Sequence, residues 1–386
     1  MVETARRRRV LIAADKFKGS LTAVQVAERV AAGLRQVAPG VTTASLPVAD
    51  GGDGTVAAVV AAGFELREAR VTGPVGNPVT AAFAVRGDTA VVEMAEASGL
   101  QRLPGGTLAP LTASTHGSGE LLRAALDAGA RTVVFGVGGS ATTDGGAGML
   151  AALGARLLDA DGKELGPGGG ALAALASVDL SGLDPRVADG TVELVLASDV
   201  DNPLTGPFGA AAVYGPQKGA SPEDVAALDA ALGRYAAVLE HAVGPRARGL
   251  AQAPGAGAAG GLGFAALLLG ARFRAGIEVL LEAVGFAAEL ERADLVITGE
   301  GSLDAQTLRG KAPAGVATAA AAAGVPVVAV CGRLALSPEE LRAAGIERAY
   351  PLAALEQDVA RSVANAGPLL ERVAAGLAHD WLAPGS

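Results

Sequence analysis

Six short apolar, β-rich runs, each closing on a loop of small and polar residues, constrain this chain more than any other feature. They are residues 9–14, 43–48, 132–137, 192–197, 294–298 and 326–330. Helical patterns follow several of them. After the first, Leu21, Val24, Ala27, Val30, Leu34 and Val37 recur at helical spacing, and Thr22 with Gln25 predicts a capping box. Continuous apolar strands alternating with helices predict a mostly parallel sheet covered on both faces. No fixed repeat period supports a helical solenoid.

The N-terminal and C-terminal thirds are the most alike in this pattern. Between them, Val71–Val79 (VTGPVGNPV) reads as a Gly/Pro junction, and Gly244–Gly263 as a low-complexity Gly/Ala/Pro region. The expected division is a discontinuous α/β domain, 1–70 plus 287–386, with a second α/β domain, 71–286, inserted in it.

Composition narrows the function classes. The 386 residues carry 31 Lys+Arg against 40 Asp+Glu, a formal net charge of −9, which opposes general nucleic-acid binding. Aromatic residues are 3% of the chain, so base-stacking platforms are scarce. One cysteine excludes an internal disulfide framework and a Cys-rich zinc site, and a reducing cytoplasmic setting is expected. The apolar run behind Arg6–Arg9 stops at Asp15, too short for a signal segment, and the Arg run reads as a solvated tail. The uncharged stretches at 250–271 and 312–332 are broken by Gly and Pro and read as soluble elements, so no membrane partner is expected.

Chemistry gathers where the strands end. The first run closes on Asp15, Lys16, Lys18, Gly19 and Ser20, and the second on Asp50, Gly51, Gly52, Asp53 and Gly54. The third enters Gly138, Gly139 and Ser140 and continues to Asp144, and the fourth enters Asp199, Asp201 and Asn202. The fifth enters Glu300, Gly301, Ser302 and Asp304. In open α/β sheets ligands bind beyond the carboxyl ends of the strands. Carboxylates at so many strand ends need positive charge among them, and Mg²⁺ and lysine are the candidates. Gly-rich turns let backbone amides approach phosphate oxygens. These are the parts that phosphoryl transfer requires.

Each part has a plainer reading. A single Asp-Gly-Gly is turn chemistry. Gly136-Val137-Gly138 is half a dinucleotide fingerprint, with Ala141 where the third glycine belongs. Residues 305–312 (AQTLRGKA) lack the first Gly and the final Ser/Thr of a P-loop, and Lys311 reads equally as a solvated helix-start lysine. Ser140 has no nucleophile elbow around it. His116 reads as a loop packing residue, His241 and His379 as surface residues, Cys331 as a buried inert thiol, and Trp381 as the anchor of the C-terminal tail.

Taken in order, DKFKGSL (Asp15–Leu21), VADGGDGT (Val48–Thr55), GGSATTDGGAGML (Gly138–Leu150), SDVDNPL (Ser198–Leu204), YGPQKGA (Tyr214–Ala220) and GEGSLDAQTLRGKAP (Gly299–Pro313) resemble the bacterial type-1 glycerate kinases over nearly the whole chain. The resemblance implies a flavodoxin-like, doubly wound parallel-sheet domain interrupted by a second α/β domain. It implies ATP and Mg²⁺ as cofactors and D-glycerate as the partner, phosphorylated at the 2-hydroxyl in preference to the 3-hydroxyl. Two positions depart from the family pattern: Asp53 stands where Glu is commoner and Thr143 where Asn is commoner.

Under that resemblance, Lys16 and Lys18 neutralise the glycerate carboxylate or the transferring phosphoryl. Asp50 and Asp53 bind Mg²⁺ or orient a hydroxyl. Gly51, Gly138, Gly139 and Ser140 belong to anion-receptive loops, and Ser20, Asp144, Asn202, Gln217 and Lys218 to the substrate and phosphate set. Asp199, then Asp15, is the candidate base or orienting carboxylate. Glu300 and Asp304 hold metal or ribose, and Lys311 contacts phosphate. Two other classes remain open: a different Mg²⁺-dependent sugar-acid kinase or phosphatase, and a non-catalytic sensor of an acidic metabolite. Asp199-Val200-Asp201 has the spacing of a phosphatase nucleophile loop only superficially, and no basic helix-turn-helix accompanies a sensor reading.

Overall fold

The structure, a computed structural model, describes residues 8–49 and 51–383. Asp50, and Arg6 and Arg7 of the N-terminal Arg run, lie outside the described residues. In chain order the strands are β1 (Arg9–Ala14), β2 (Thr42–Ser45), β3 (Glu65–Thr72), β4 (Pro78–Arg86), β5 (Thr89–Glu93), β6 (Thr132–Gly136), β7 (Arg156–Leu158), β8 (Ser177–Asp179), β9 (Glu193–Ala197), β10 (Arg272–Arg274), β11 (Leu295–Leu303), β12 (Val327–Leu334) and β13 (Arg348–Pro351). Each of the six predicted runs contains or overlaps one of them. The chain forms two compact units, whose described residues are 8–49, 57–63 and 277–383 in one and 51–56 and 64–276 in the other.

The first unit holds a five-stranded sheet in the order β2-β1-β11-β12-β13, with every neighbouring pair parallel. Counted along this unit alone, that is strand order 2-1-3-4-5, the flavodoxin-like arrangement. Its order reverses between β1 and β11, where Ala14 faces Gly299 in register. Val10, Ile12 and Ala14 join one core with Ile297, Val328, Val330 and the buried faces of helices Ala23–Val37 and Ala366–Trp381. Leu11 and Ala13 are equally buried and alternate to the other face, so a continuous apolar run serves both. Thr22 and Gln25 form the predicted capping box at the first helix. Trp381 docks the last helix as expected, its Nε1 donating to the Tyr350 hydroxyl at 2.9 Å. Cys331 is buried in β12, and burial pushes its thiol up to about 12, as an inert thiol requires.

The second unit holds a six-stranded sheet in the order β10-β9-β6-β5-β4-β3. Strands β5, β6, β9 and β10 run parallel, while β3, β4 and β5 run antiparallel. A separate hairpin pairs β7 with β8. Val71–Val79 is therefore no junction: it is the end of β3, a turn and the start of β4, with Thr72 paired to Pro78. Gly244–Gly263 is likewise ordered, running through two 3₁₀ turns into helix Ala258–Leu268. Gly260 has φ +70° and its carbonyl accepts from Gly145 N at 3.0 Å, a close backbone approach where any Cβ would strike the Thr142 carbonyl. The composition that reads as low complexity is a tight packing surface.

Candidate active site

In the first unit the loop after β1 lies beside Gly299–Gly301 of β11, because the two strands are neighbours at the reversal point, where ligand crevices form in such sheets. Asp15 N donates to the Gly299 carbonyl at 2.8 Å, and the Asp15 carboxylate accepts from Lys16 N at 2.6 Å. The loop then closes on itself: Phe17 N bonds the Leu21 carbonyl, and Ser20 Oγ donates to the Phe17 carbonyl at 3.0 Å. Asp15, Lys16 and Ser20 are half-buried and Lys18 is exposed.

Across from it, Thr307 is fully buried and organises the acidic loop. Its hydroxyl donates to Glu300 Oε1 at 2.6 Å and accepts from Asp304 N at 3.0 Å. Asp304 Oδ1 also accepts from Gln306 N at 2.8 Å, and the Gln306 side-chain oxygen accepts from Lys311 Nζ at 3.1 Å. Glu300, Asp304 and Lys311 are thus tied into one stretch of chain. Lys311 is the N-cap of helix Ala312–Ala322, with Pro313 in the first turn, so its ammonium stands at the positive end of that helix. Thr307 escaped the sequence reading because an isolated Thr in a polar loop carries no signal.

In the second unit, the loop 51–56 packs on the end of β6. Gly51 has φ +82°, and a Cβ on Gly138 would stand 2.5 Å from Gly52 Cα. The loop is held by Glu93, the last residue of β5, whose carboxylate accepts from Val56 N and, at 3.2 Å, from Gly54 N. Glu93 is 3% exposed, and burial raises its carboxyl to about 7, with Glu96 and Asp53 adding repulsion. Asp53 is exposed at the tip of this loop. Glu93 was missed because it sits in an apolar strand rather than in a Gly-rich turn.

The loop 138–144 is pinned at both ends. Asp144, 1% exposed, accepts from Thr115 N (2.8 Å), Thr115 Oγ1 (2.9 Å), Gly146 N (3.2 Å) and Gly148 N (3.3 Å). Burial raises its carboxyl, and those four donors oppose the shift. Asp144 is therefore a brace inside the loop. Lys218, also 1% exposed, donates to Ser140 Oγ at 2.7 Å and to the Thr142 carbonyl at 2.6 Å. Burial lowers its ammonium to about 7, with the Asp144 charge opposing. Its neighbour Gln217 is exposed.

Asp199 follows β9, and its Oδ1 accepts from Gly276 N at 3.0 Å. Asn202 is engaged at both ends: its Oδ1 accepts from the Tyr214 hydroxyl at 2.6 Å, and its Nδ2 donates to the Phe208 carbonyl at 2.8 Å. His116, read as a loop residue, is instead the first residue of helix His116–Asp127, 3.7 Å from Glu120.

In one unit Asp15, Lys16, Lys18 and Ser20 share the loop that meets Gly299 and Gly301, while Glu300, Asp304 and Lys311 are joined through Thr307 and Gln306. The structure gathers Gly51, Gly138, Gly139, Ser140, Asp144 and Lys218 in the other, with Asp199 and Asn202 after β9. Among the described residues, no three His, Cys, Asp or Glu side chains group as a metal cage.

Parallel-dominated sheets with acidic, lysine-bearing and amide-rich loops at strand ends carry the parts that kinases use for phosphoryl transfer. The sequence model of the glycerate kinase family matches residues 10–382. The chain is 48% identical over 374 residues to the glycerate kinase of Bacillus subtilis (strain 168), covering 96% of this chain and 97% of that protein. It is 46% identical over 331 residues to the glycerate 2-kinase of Escherichia coli (strain K12), covering 84% and 85%. A crystal structure from Salmonella typhimurium LT2, provisionally described as glycerate kinase 2, superposes with a TM-score of 0.83 at 42% identity, covering 97% of this chain and 98% of that one. The chain belongs to the glycerate kinase family. No helix among the described residues is long and apolar enough to cross a membrane.

Proposed function

We propose that this protein transfers the γ-phosphoryl group of ATP to the 2-hydroxyl of D-glycerate. The family match along residues 10–382 carries this reading. The position of the hydroxyl follows the name of the Escherichia coli relative, a glycerate 2-kinase. The two compact units serve as the enzyme's two domains, each assembled from more than one stretch of chain.

Lys16 and Lys18 neutralise the acid's carboxylate or the phosphoryl in transit, and Lys311 meets phosphate from the start of its helix. The amides of 138–140 accept an anion, with Lys218 and Asp144 holding the loop in shape rather than touching the ligand. Asp199 orients the attacking hydroxyl and takes its proton, with Asp15 the second candidate. Alignment and charge neutralisation supply most of the rate in such a reaction, so a weak base suffices.

Glu300 and Asp304 fit Mg²⁺, which is commonly held by one or two carboxylates together with substrate phosphates. The Thr307 hydroxyl donates to the Glu300 carboxylate and accepts from Asp304 N, which ties both residues to one loop. When bound, Mg²⁺ neutralises charge on the β- and γ-oxygens.

Phosphorus NMR of the product formed from ATP, Mg²⁺ and D-glycerate tests the reading. A 2-phosphoglycerate resonance is expected. A 3-phosphoglycerate resonance would reassign the hydroxyl. Free phosphate released from an added phosphorylated sugar acid in the absence of ATP would indicate a phosphatase, and D-glycerate binding without turnover a sensor.

A further inference from the structure

A cavity of about 440 Å³ opens in the second unit between the β3–β4 turn, the segment 112–116, helix Ala147–Ala152 and the loop 164–168. No role proposed above uses it. Its size falls within the range of small-molecule pockets, and its walls have their composition: Pro74, Val75, Ala151, Leu157, Leu165 and Leu172. Thr112, Ser114 and His116 are among its lining residues, and the Ser114 hydroxyl accepts from His116 N at 3.2 Å. Each of them can both donate and accept a hydrogen bond.

The walls are held by direct bonds. Ser114 N donates to the Pro74 carbonyl at 2.8 Å, and Thr72 N to Glu120 Oε2 at 2.6 Å, fastening the β3–β4 turn to the 114–120 segment. Gly170 N donates to the Leu111 carbonyl at 2.9 Å, fastening the opposite wall. The floor is continuous with the anion-receptive loop. Thr115, between the lining residues Ser114 and His116, gives Asp144 two of its hydrogen bonds, and the lining residue Gly148 gives another. One carboxylate thus braces both the cavity and the loop 138–144.

The lining decides the ligand class. It includes no lysine or arginine, and its one carboxylate is Glu164. A triphosphate or the carboxylate of a three-carbon acid would enter without a cation to meet it, at a large desolvation cost. A neutral, flat heterocycle with donors and acceptors on its edge suits mostly apolar walls with Thr112, Ser114 and His116 among the lining residues. The reaction proposed above consumes a molecule with such a part.

The geometry points to this cavity as the site for the heterocyclic base of the nucleoside triphosphate, with its phosphates directed to the amides of 138–140. This rests on the kinase reading, and wild-type turnover of ATP with D-glycerate tests that reading separately.

The test uses the full chain with Ala151→Phe, which fills the cavity from its helical wall, and Val75→Ser, which changes only the exposed rim of the turn. ADP affinity by calorimetry is read together with KM for ATP and for D-glycerate. Ala151→Phe is expected to weaken ADP binding and raise KM for ATP by at least about tenfold, while KM for D-glycerate stays within about twofold. Val75→Ser, whose fold is not at risk, is expected to weaken ADP binding by about two- to threefold through its lost apolar contact. Unchanged ADP affinity in both variants, or a shift confined to D-glycerate, would overturn the assignment.

Discussion

The Lys218 ammonium donates to the Ser140 hydroxyl at 2.7 Å from a position with 1% of the residue exposed. A buried cation therefore braces from behind the loop whose front carries the amides. A surface lysine would serve as a phosphate ligand; this one serves as a strut. Lys218→Met removes the donor and leaves Ser140 Oγ and the Thr142 carbonyl without it in the interior. A loss of about 1–3 kcal/mol per unsatisfied group is expected. The relaxed loop should lower kcat/KM by about tenfold to a hundredfold, the scale that misplacement by about 1 Å produces. Thermal melts and steady-state kinetics measure both. The folded ammonium titrates near 7, below its ordinary 10.5, so the unfolded chain holds the extra proton between those values and stability rises with pH there. That rise should flatten in Lys218→Met.

Glu93 has the opposite sign. Its carboxyl is raised from 4.5 to about 7, so between those values the folded chain holds a proton that the unfolded chain has released. The stabilisation this gives is complete below pH 4.5 and is lost as pH rises through 7. The loss is on the order of 3 kcal/mol at most. Glu93→Gln keeps one acceptor for the amides of Gly54 and Val56 and removes the titration. Melting temperatures from about pH 4.5 to about pH 8 should fall more steeply for the wild type than for Glu93→Gln. Parallel curves would show that Glu93 does not titrate in that window.

Much of this was legible in the chain and some was not, for physical reasons. The strands β1, β6, β9, β11 and β12 are buried on both faces, so they are written as continuous apolar runs. Strand β3 (ELREARVT) lies at the sheet edge with most residues exposed, and its charges hide it. The turn after it looks like a linker because a hairpin turn and a linker use the same Gly, Pro and Asn. Strand-end loops announce themselves by composition, since Gly, Asp and Ser are the residues that best tolerate such turns. The residues that hold those loops do not. Glu93 and Lys218 act from apolar or turn-like surroundings, and only the packing reveals which way each side chain faces. A carboxylate at the end of a buried strand was the available hint for Glu93.

The close approach of Gly138 to Gly52 gives a steric prediction. A Cβ at Gly138 would lie 2.5 Å from Gly52 Cα, and the obstacle is backbone, which has no rotamer with which to yield. Gly138→Ala should cost about 1–3 kcal/mol and part the two loops. At Gly139, φ is +75° and the nearest atom to a new Cβ is Ala95 Cβ at 3.3 Å. Gly139→Ala should then cost about 1–2 kcal/mol, chiefly through backbone strain. The kinetic contrast is the sharper readout: Gly138→Ala should lose activity well below its melting temperature, because the displaced element is the loop proposed to receive the anion. Equal kcat in the two variants would dissociate that loop from catalysis.

Asp199 is the carboxylate on which the proposed proton transfer depends. Its Oδ1 accepts from Gly276 N at 3.0 Å, a bond that the amide oxygen of asparagine reproduces. Asp199→Asn should therefore fold and melt like the wild type, which separates chemistry from structure. If the carboxylate takes the proton of the attacking hydroxyl, kcat should fall by about 10²–10⁴ with a smaller change in KM for D-glycerate. An activity loss confined to KM would make Asp199 a binding group and move the base to Asp15. Asp15→Asn is then the decisive comparison. Asp15 already accepts from Lys16 N at 2.6 Å, and an asparagine side chain at that position would keep the bond while losing the charge.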